Sequence, residues 1–162
     1  MAVQERVKRA KELVRTVRHV PLATVNEDGS PLNSPVFATF DSTLNLYWAS
    51  NADAQHSDNI RRDERVFLVL FDSMEKGGGL YIEARAHEIS NAAELGIALT
   101  VVNKKRTTLG RAEVGAGDFS SDAIQRLYCA VPQKLWVNVS RHDTEGRVVS
   151  DQRHEIMLGD LI

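Results

Sequence analysis

The sequence predicts a mainly β protein, a barrel of about six or seven antiparallel strands with a few helices. Two features indicate this fold class. Short apolar segments follow one another closely, and turn residues such as Asp28-Gly29 separate them. Helical spacing of apolar residues is confined to a few stretches, the first at the N-terminus. Short strands joined by tight turns favour a barrel over an open sheet.

The first half of the chain supplies most of the predicted strands. Apolar residues at helical spacing predict an amphipathic helix over residues 3–17. This helix must end before Pro21, because a helix interior does not accept proline. A short helix is expected over residues 53–62. Apolar runs predict four strands in this half: residues 22–25, 32–40, 44–49 and 66–71.

The second half begins with a connection over residues 72–79 that contains the run Gly77-Gly78-Gly79. Alternation then predicts a strand over residues 80–89, and a helix capped by Asn91 follows it. The remaining pattern predicts a short helix at 120–126, an apolar segment at 127–131 that Pro132 ends, a strong strand at 135–139, and a return after 147.

Composition limits the possible functions. The 162 residues are enough for one domain, so 1–162 is predicted as a single unit. A net charge of -2 with mixed signs predicts no nucleic-acid or membrane partner. The charged N-terminus and the single cysteine, Cys129, predict a cytoplasmic protein in which that cysteine is a small buried residue. The five histidines lack metal-binding spacing, so no metal site is predicted, and no nucleophile motif is present.

One stretch suits an anion. An apolar strand stops at Ser50, a polar loop follows, and the short helix begins after it. The N-terminus of a helix leaves backbone N–H groups without partners, and the helix dipole favours negative charge there. A phosphorylated cofactor is therefore expected at this loop.

The order of several segments resembles the FMN-binding split barrels of the pyridoxamine 5'-phosphate oxidase-like family, over about residues 4–140. These segments are 22–25 (LATV), 28–31 (DGSP), 34–36 (SPV), 47–50 (YWAS), 59–66 (NIRRDERV), 127–128 (LY), 131–132 (VP) and 135–138 (LWVN).

The resemblance implies a homodimer with FMN in a groove between the subunits, acting on a small-molecule substrate as a flavin-dependent oxidoreductase. The flavin itself would carry the electrons, so no catalytic side chain is predicted. The residues that it places at the cofactor are Ser34, Pro35, Val36 and Phe37 along the ring, and Ala49, Ser50, Gln55 and His56 at the phosphate.

Two departures from the family pattern bear on function. Gln55 and His56 stand where the oxidases usually carry Arg and Lys, which could weaken FMN binding by about 1 to 3 kcal/mol. Arg61 or Arg62 could compensate, or His56 could bind the phosphate when protonated. Thr39 replaces a substrate-binding lysine, so oxidation of pyridoxamine phosphate itself is not expected. The alternatives are a reductase that uses a deazaflavin coenzyme, and a non-enzymatic sensor or carrier of flavin or haem.

Overall fold

A computed structural model describes residues 2–74 and 78–162 of the chain. The helices are α1 (Val3–Thr16), α2 (Gln55–Arg62) and α3 (Ala92–Thr108). The strands are β1 (His19–Val25), β2 (Pro31–Phe40), β3 (Leu46–Asn51), β4 (Arg65–Leu70), β5 (Leu80–Glu88), β6 (Gln125–His142) and β7 (Val148–Ile156). Two short 3-10 turns, Ala116–Phe119 and Leu158–Asp160, complete the described elements.

The strands form one antiparallel sheet in the order β3-β2-β1-β4-β5-β6-β7. An additional pairing of β3 with β6 closes six of these strands into a ring, and β7 extends the sheet beside the second half of β6. The predicted fold class, a mainly β split barrel of six or seven antiparallel strands, is confirmed.

Alternate residues of each strand point into the ring, and these residues are mostly apolar, so the interior is an apolar core. Leu22, Trp48, Leu68, Ile82 and Tyr128 are each at most 1% exposed. Full burial of one such side chain contributes about 1.5 to 3 kcal/mol. The rings of Trp48 and Tyr128 also stack, with centroids 5.5 Å apart, and this contact joins the first part of β6 to the middle of β3.

Two helices cover apolar surface of the barrel. Ala10 and Leu13 on α1 are fully buried against the main core, as the predicted amphipathic pattern requires. On the outer face, α3 packs Ala98 against a second cluster that includes Tyr47 and Cys129. Within the described ranges, no helix is long and apolar enough to cross a membrane.

The prediction for residues 120–132 is wrong. No helix forms at 120–126; β6 begins at Gln125 and continues through Pro132 to His142. Residues 125–130 pair with β3 and 128–137 pair with β5, and these ladders outweigh a weak local helical pattern. Pro132 is accommodated because the register shifts there: Pro132 faces Ala84, Lys134 faces Glu83, and Gln133 is the extra residue of a bulge.

The glycine run has a structural role at one position. Gly77 lies outside the described residues, but Gly78 passes so close to β6 that a Cβ would collide with the carbonyl oxygen of Asn138. The N–H of Asn138 donates to the carbonyl of Gly79 at 3.1 Å. Glycine is therefore required at 78 by a close backbone approach.

Candidate functional site

Among residues 2–74 and 78–162, the outer edge of β2 is open over its first seven residues. β2 pairs with β1 along residues 31–37, but its pairing with β3 covers only Ala38, Thr39 and Phe40. Over residues 31–37 the other edge has no strand partner in the described part of the chain. The ring is thus split between β2 and the last residues of β3.

The register shows which backbone groups face this open edge. Ala38 donates its N–H to the carbonyl of Arg18, so even-numbered residues of β2 bond to β1. Antiparallel ladders alternate, and the backbone groups of odd-numbered residues therefore point away from β1. Of the four predicted ring-contact residues, Ser34 and Val36 are held by β1, while Pro35 and Phe37 present backbone groups to the open edge.

The side chain of Phe37 is held between two groups. Its ring makes an edge contact with the ring of His19, with centroids 5.5 Å apart. The guanidinium carbon of Arg111 lies 4.8 Å from the centroid of the same ring. The loop after α3 therefore packs over the open stretch of β2, and Phe37 is only partly exposed.

The predicted phosphate residues meet at the end of β3. His56 Nε2 lies 2.8 Å from Ser50 Oγ, which joins the first turn of α2 to the last residues of the strand. The bond works in either direction: a neutral imidazole accepts from the hydroxyl or donates to it, and an imidazolium only donates. In the donating form, the Ser50 hydroxyl hydrogen is free for another acceptor.

The N-terminus of α2 carries no side-chain cap. Ala54 occupies the N-cap position, where its backbone carbonyl accepts from Ser57 and Asp58 but its side chain has no acceptor for the first N–H groups. The N–H groups of Gln55 and His56 have no intrahelical acceptor, because the first N–H groups of any helix lack one. These donors lie next to the Ser50–His56 pair, so three kinds of donor suited to an anion converge there: backbone N–H, hydroxyl and imidazole.

Burial sets the charge state of this histidine. Half-burial lowers the pKa of His56 below its usual value because the protonated form loses hydration. His56 is therefore mainly neutral near pH 7 until a negative group arrives beside it. An anion at the end of β3 raises the same pKa by stabilising the imidazolium.

Asn59 fixes α2 on the barrel. It is 1% exposed, and its amide nitrogen donates to Thr24 Oγ1 at 3.0 Å and to Asn26 Oδ1 at 2.9 Å. Its amide oxygen accepts from Gln55 Nε2 and from Arg62 Nη2, both at 3.1 Å. This network sets the distance between the first turn of α2 and β1.

Arg61 is engaged by several partners. It pairs with Asp58 and with Glu88, the latter at 2.9 Å, and it donates to the carbonyl of Ala52 at 2.6 Å. Arg62 donates to the carbonyl of Val25. Both arginines thus hold α2 and its preceding loop in place, and compensation for the lost Arg and Lys by these two residues stays a prediction.

Sequence reasoning missed Arg126, which the register places directly opposite Ser50. Its side chain is 16% exposed, and its guanidinium lies 3.4 Å from Glu88 and donates to the carbonyl of Ser121 at 2.6 Å. Directly opposed residues share a face of the sheet, so Arg126 adds positive charge on the Ser50 side. The wrongly predicted helix at 120–126 concealed this position, whereas Asn59 gave no signal beyond a polar residue in a helix.

The structure brings some of the eight predicted residues together. Ser50, Gln55 and His56 converge at the N-terminus of α2, and Ala49 is the exposed neighbour of Ser50. The other four lie along β2. Cavities of about 520 Å³ and 510 Å³ are lined by other residues, the first between α1, the end of β2 and α3, and the second beside β1, β4 and β5.

The fold and the site together define a split barrel with a candidate anion site at a helix N-terminus. The sequence profile of the family described as pyridoxamine 5'-phosphate oxidase matches residues 7–125. The chain belongs to the pyridoxamine 5'-phosphate oxidase family. A comparison with curated protein sequences finds no match.

Solved structures share the fold at low identity. A protein of Clostridium acetobutylicum, related to general stress protein 26 and to the pyridoxinephosphate oxidase family, has a TM-score of 0.63 at 16% identity, covering 96% of this chain and 97% of its own. The haem storage protein HutZ of Vibrio cholerae has a TM-score of 0.64 at 22% identity, covering 85% and 95%. A protein named F420 reductase has a TM-score of 0.59 at 16% identity, covering 78% and 94%.

Proposed function

We propose that this protein binds FMN and acts as a small flavin-dependent oxidoreductase. The observation that carries the proposal is the Ser50–His56 pair at an uncapped helix N-terminus. A terminal phosphate is the anion that such donors suit. Bound FMN would supply the redox chemistry, and the protein would bind and orient it.

The open edge of β2 suits the flavin ring. The backbone groups of Pro35 and Phe37 face that edge, and Pro35 contributes only a carbonyl acceptor because proline has no N–H. The pyrimidine side of a flavin ring carries both carbonyl oxygens and an N–H, so it can pair with an N–H and with carbonyls of an open strand. In this arrangement the ring lies along residues 34–37 and the phosphate reaches Ala49, Ser50, Gln55 and His56.

The proposal includes a second copy of the chain. An open strand edge invites pairing or cover, and the outer sheet face carries an aromatic cluster of Phe67, Tyr81 and Trp136. Phe67 lies 6.3 Å from the centroids of both other rings, and the Arg153 guanidinium lies 4.0 Å from the Tyr81 centroid. Each ring is partly exposed. A homodimer that covers this face would supply the second wall of the groove.

Absorption spectroscopy, a turnover assay and sedimentation test the proposal. The purified protein should show the visible absorption bands of oxidised flavin, or acquire them when apo-protein is mixed with FMN, and it should then oxidise a reduced nicotinamide. Sedimentation should show a dimer at micromolar concentration. Phe67→Glu should weaken dimerisation and FMN binding together, while Ile97→Glu, at a residue 57% exposed on α3, should change neither. A monomer that binds FMN tightly would contradict the two-subunit groove.

A deazaflavin coenzyme is the second candidate. Gln55 and His56 supply less fixed positive charge than Arg and Lys, and a structure with the same fold is named F420 reductase. Haem is the third ligand to test, because another such structure is named a haem storage protein. Titrating apo-protein with FMN, with the deazaflavin coenzyme and with haemin ranks the three directly. The single domain, the cytoplasmic location, and the absence of nucleic-acid and membrane partners stay predictions.

A further inference from the structure

Three metal-ligating side chains from three separate elements meet on the outer face of the barrel. His87 lies on β5, Glu94 lies in the first turn of α3, and Cys129 lies on β6. One ligand atom from each lies within 4.8 Å of the others. None of the three belongs to the candidate flavin site. We propose that they bind one Zn²⁺ ion, with water as the fourth ligand.

The sheet register places two of the ligands side by side. His87 and Cys129 are direct cross-strand partners in the β5–β6 ladder. Directly opposed residues of an antiparallel pair project from the same face, with Cβ atoms about 4.5 to 5.5 Å apart. The separation of the imidazole from the thiol is therefore fixed by two well-paired strands and not by a loop.

The cap of α3 orients the third ligand. The side-chain oxygen Oδ1 of Asn91 accepts from the backbone N–H of Glu94 at 2.8 Å, and Asn91 Nδ2 donates to Glu94 Oε2 at 3.1 Å. The other carboxylate oxygen, Oε1, is directed at His87 Nε2, 2.6 Å away. One oxygen of Glu94 is thus held by the helix cap while the other faces the cluster, as a carboxylate supported by a second hydrogen bond does in metal sites.

Small side-chain movements convert this arrangement into a coordination shell. Bonds of about 2.0 to 2.3 Å in tetrahedral geometry place ligand atoms about 3.5 Å apart. The His87 and Glu94 atoms, which lie 2.6 Å apart, must move away from each other and towards the Cys129 sulfur. His87 and Glu94 have side chains that are 45% and 26% exposed, so both can adjust, while Cys129 is 2% exposed and stays fixed.

The donor set selects the metal. One thiolate, one imidazole and one carboxylate match the ligands of zinc, whereas Mg²⁺ and Ca²⁺ require oxygen ligands. Three protein ligands with a solvent-facing fourth position is the arrangement of an open zinc site. A divalent cation also supplies the positive charge that a thiolate needs when it is buried under α3.

Binding would tie α3 to the sheet. Glu94 is in the first turn of the helix, and the other two ligands are in adjacent strands, so one ion cross-links three elements. The ion binds the folded chain and not the unfolded one, and it therefore raises the unfolding temperature. This consequence is independent of any flavin.

The test is metal binding to the full chain after treatment with a chelator. Titration with ZnCl₂ should give one ion per chain, and Co²⁺ should give the absorption of a cobalt–thiolate bond. His87→Gln and Glu94→Gln should each weaken Zn²⁺ binding by about 10- to 100-fold. Saturating Zn²⁺, about 100 times its Kd, should raise the unfolding midpoint by about 5 to 10 °C in the wild type and by much less in these variants.

Matched controls make the result decisive. His142→Gln on β6 and Glu83→Gln on β5 change exposed residues outside the cluster and should bind Zn²⁺ as the wild type does. Because His87 and Glu94 are partly exposed, their variants keep the fold, and circular dichroism of the same samples without Zn²⁺ checks this. Equal Zn²⁺ affinity in His87→Gln, Glu94→Gln and the wild type, or no Zn²⁺ binding by the wild type, would overturn the proposal and leave the flavin proposal untouched.

Discussion

Replacing Asn59 by alanine tests how α2 is held in place. The side chain makes four hydrogen bonds, of which the bond to Thr24 Oγ1 is fully buried. Its loss leaves the Thr24 hydroxyl, on a residue 3% exposed, without that partner. An unsatisfied buried polar group costs about 1 to 3 kcal/mol, and a lost net hydrogen bond about 1 kcal/mol. Because water can replace the bonds to Gln55 and Arg62, Asn59→Ala should lower the free energy of unfolding by about 2 to 4 kcal/mol.

Urea unfolding of the apo-protein measures this change, and two further variants make it specific. Gln55→Ala removes one exposed partner of Asn59 and should cost at most about 0.5 kcal/mol. Thr24→Val combined with Asn59→Ala should cost less than the sum of the two single changes by about 1 kcal/mol, because the double variant leaves neither partner unsatisfied. An Asn59→Ala cost below about 1 kcal/mol, or strict additivity with Thr24→Val, would refute the network as the anchor of α2.

Three further predictions use single substitutions. FMN affinity should fall as pH rises between two pKa values of His56: the value in the free protein, which burial lowers, and the value in the complex, which the phosphate raises. The difference between the wild-type and His56→Gln titrations isolates this effect, which should be about 10-fold. Identical pH dependence of the two proteins would contradict the prediction. Gly78→Ala should destabilise the folded protein because the new Cβ collides with the Asn138 carbonyl. Gly96→Ala, at a position in α3 with open space, should instead stabilise it by about 0.5 to 1 kcal/mol. If thermal unfolding shows the reverse order, the close backbone approach at Gly78 is contradicted. Asn91→Ala should cost about 1 kcal/mol in thermal unfolding through loss of the cap of α3, and an unchanged midpoint would show that the cap is dispensable.

The parts of the fold that local pattern determines could be predicted. The alternation of apolar residues predicts β5, and apolar spacing together with the turn at Asp28-Gly29 predicts the meander of β1, β2 and β3. The structure has all four strands. The predicted boundaries differ from the observed ones by a few residues: β1 begins at His19, three residues before the predicted start, and includes Pro21. Proline is tolerated there because β1 pairs with β4 only through Leu22 and Ala23.

The parts that depend on distant pairing could not be predicted. The sequence predicts the return after 147 but not the nine-residue length of β7, because the side chains of this strand are mostly exposed and show no apolar alternation. The start of β6 looks helical locally and becomes a strand because β3 and β5 pair with it on both edges. Tertiary pairing decides such segments against weak local propensity.

Some contacts of the candidate site could be predicted from the sequence and others could not. Ser50 and His56 are six residues apart, so the loop that joins them indicates their contact directly. Arg126 comes opposite Ser50, and Cys129 opposite His87, only through strand register. Residues brought together over such separations give no motif in a single sequence, and the metal-binding cluster could not be recognised from histidine spacing.

Phosphate binding at the N-terminus of α2 is the central requirement of the proposed function. The decisive measurement is the Kd of the apo-protein for FMN and for riboflavin, which has the same ring and no phosphate. FMN should bind at least about 10-fold more tightly, since charge-assisted hydrogen bonds contribute about 1.5 to 3 kcal/mol, and Ser50→Ala with His56→Ala should reduce that preference. Equal affinity for FMN and riboflavin would contradict the phosphate site. If neither flavin binds, the proposal that this protein is a flavoprotein is contradicted.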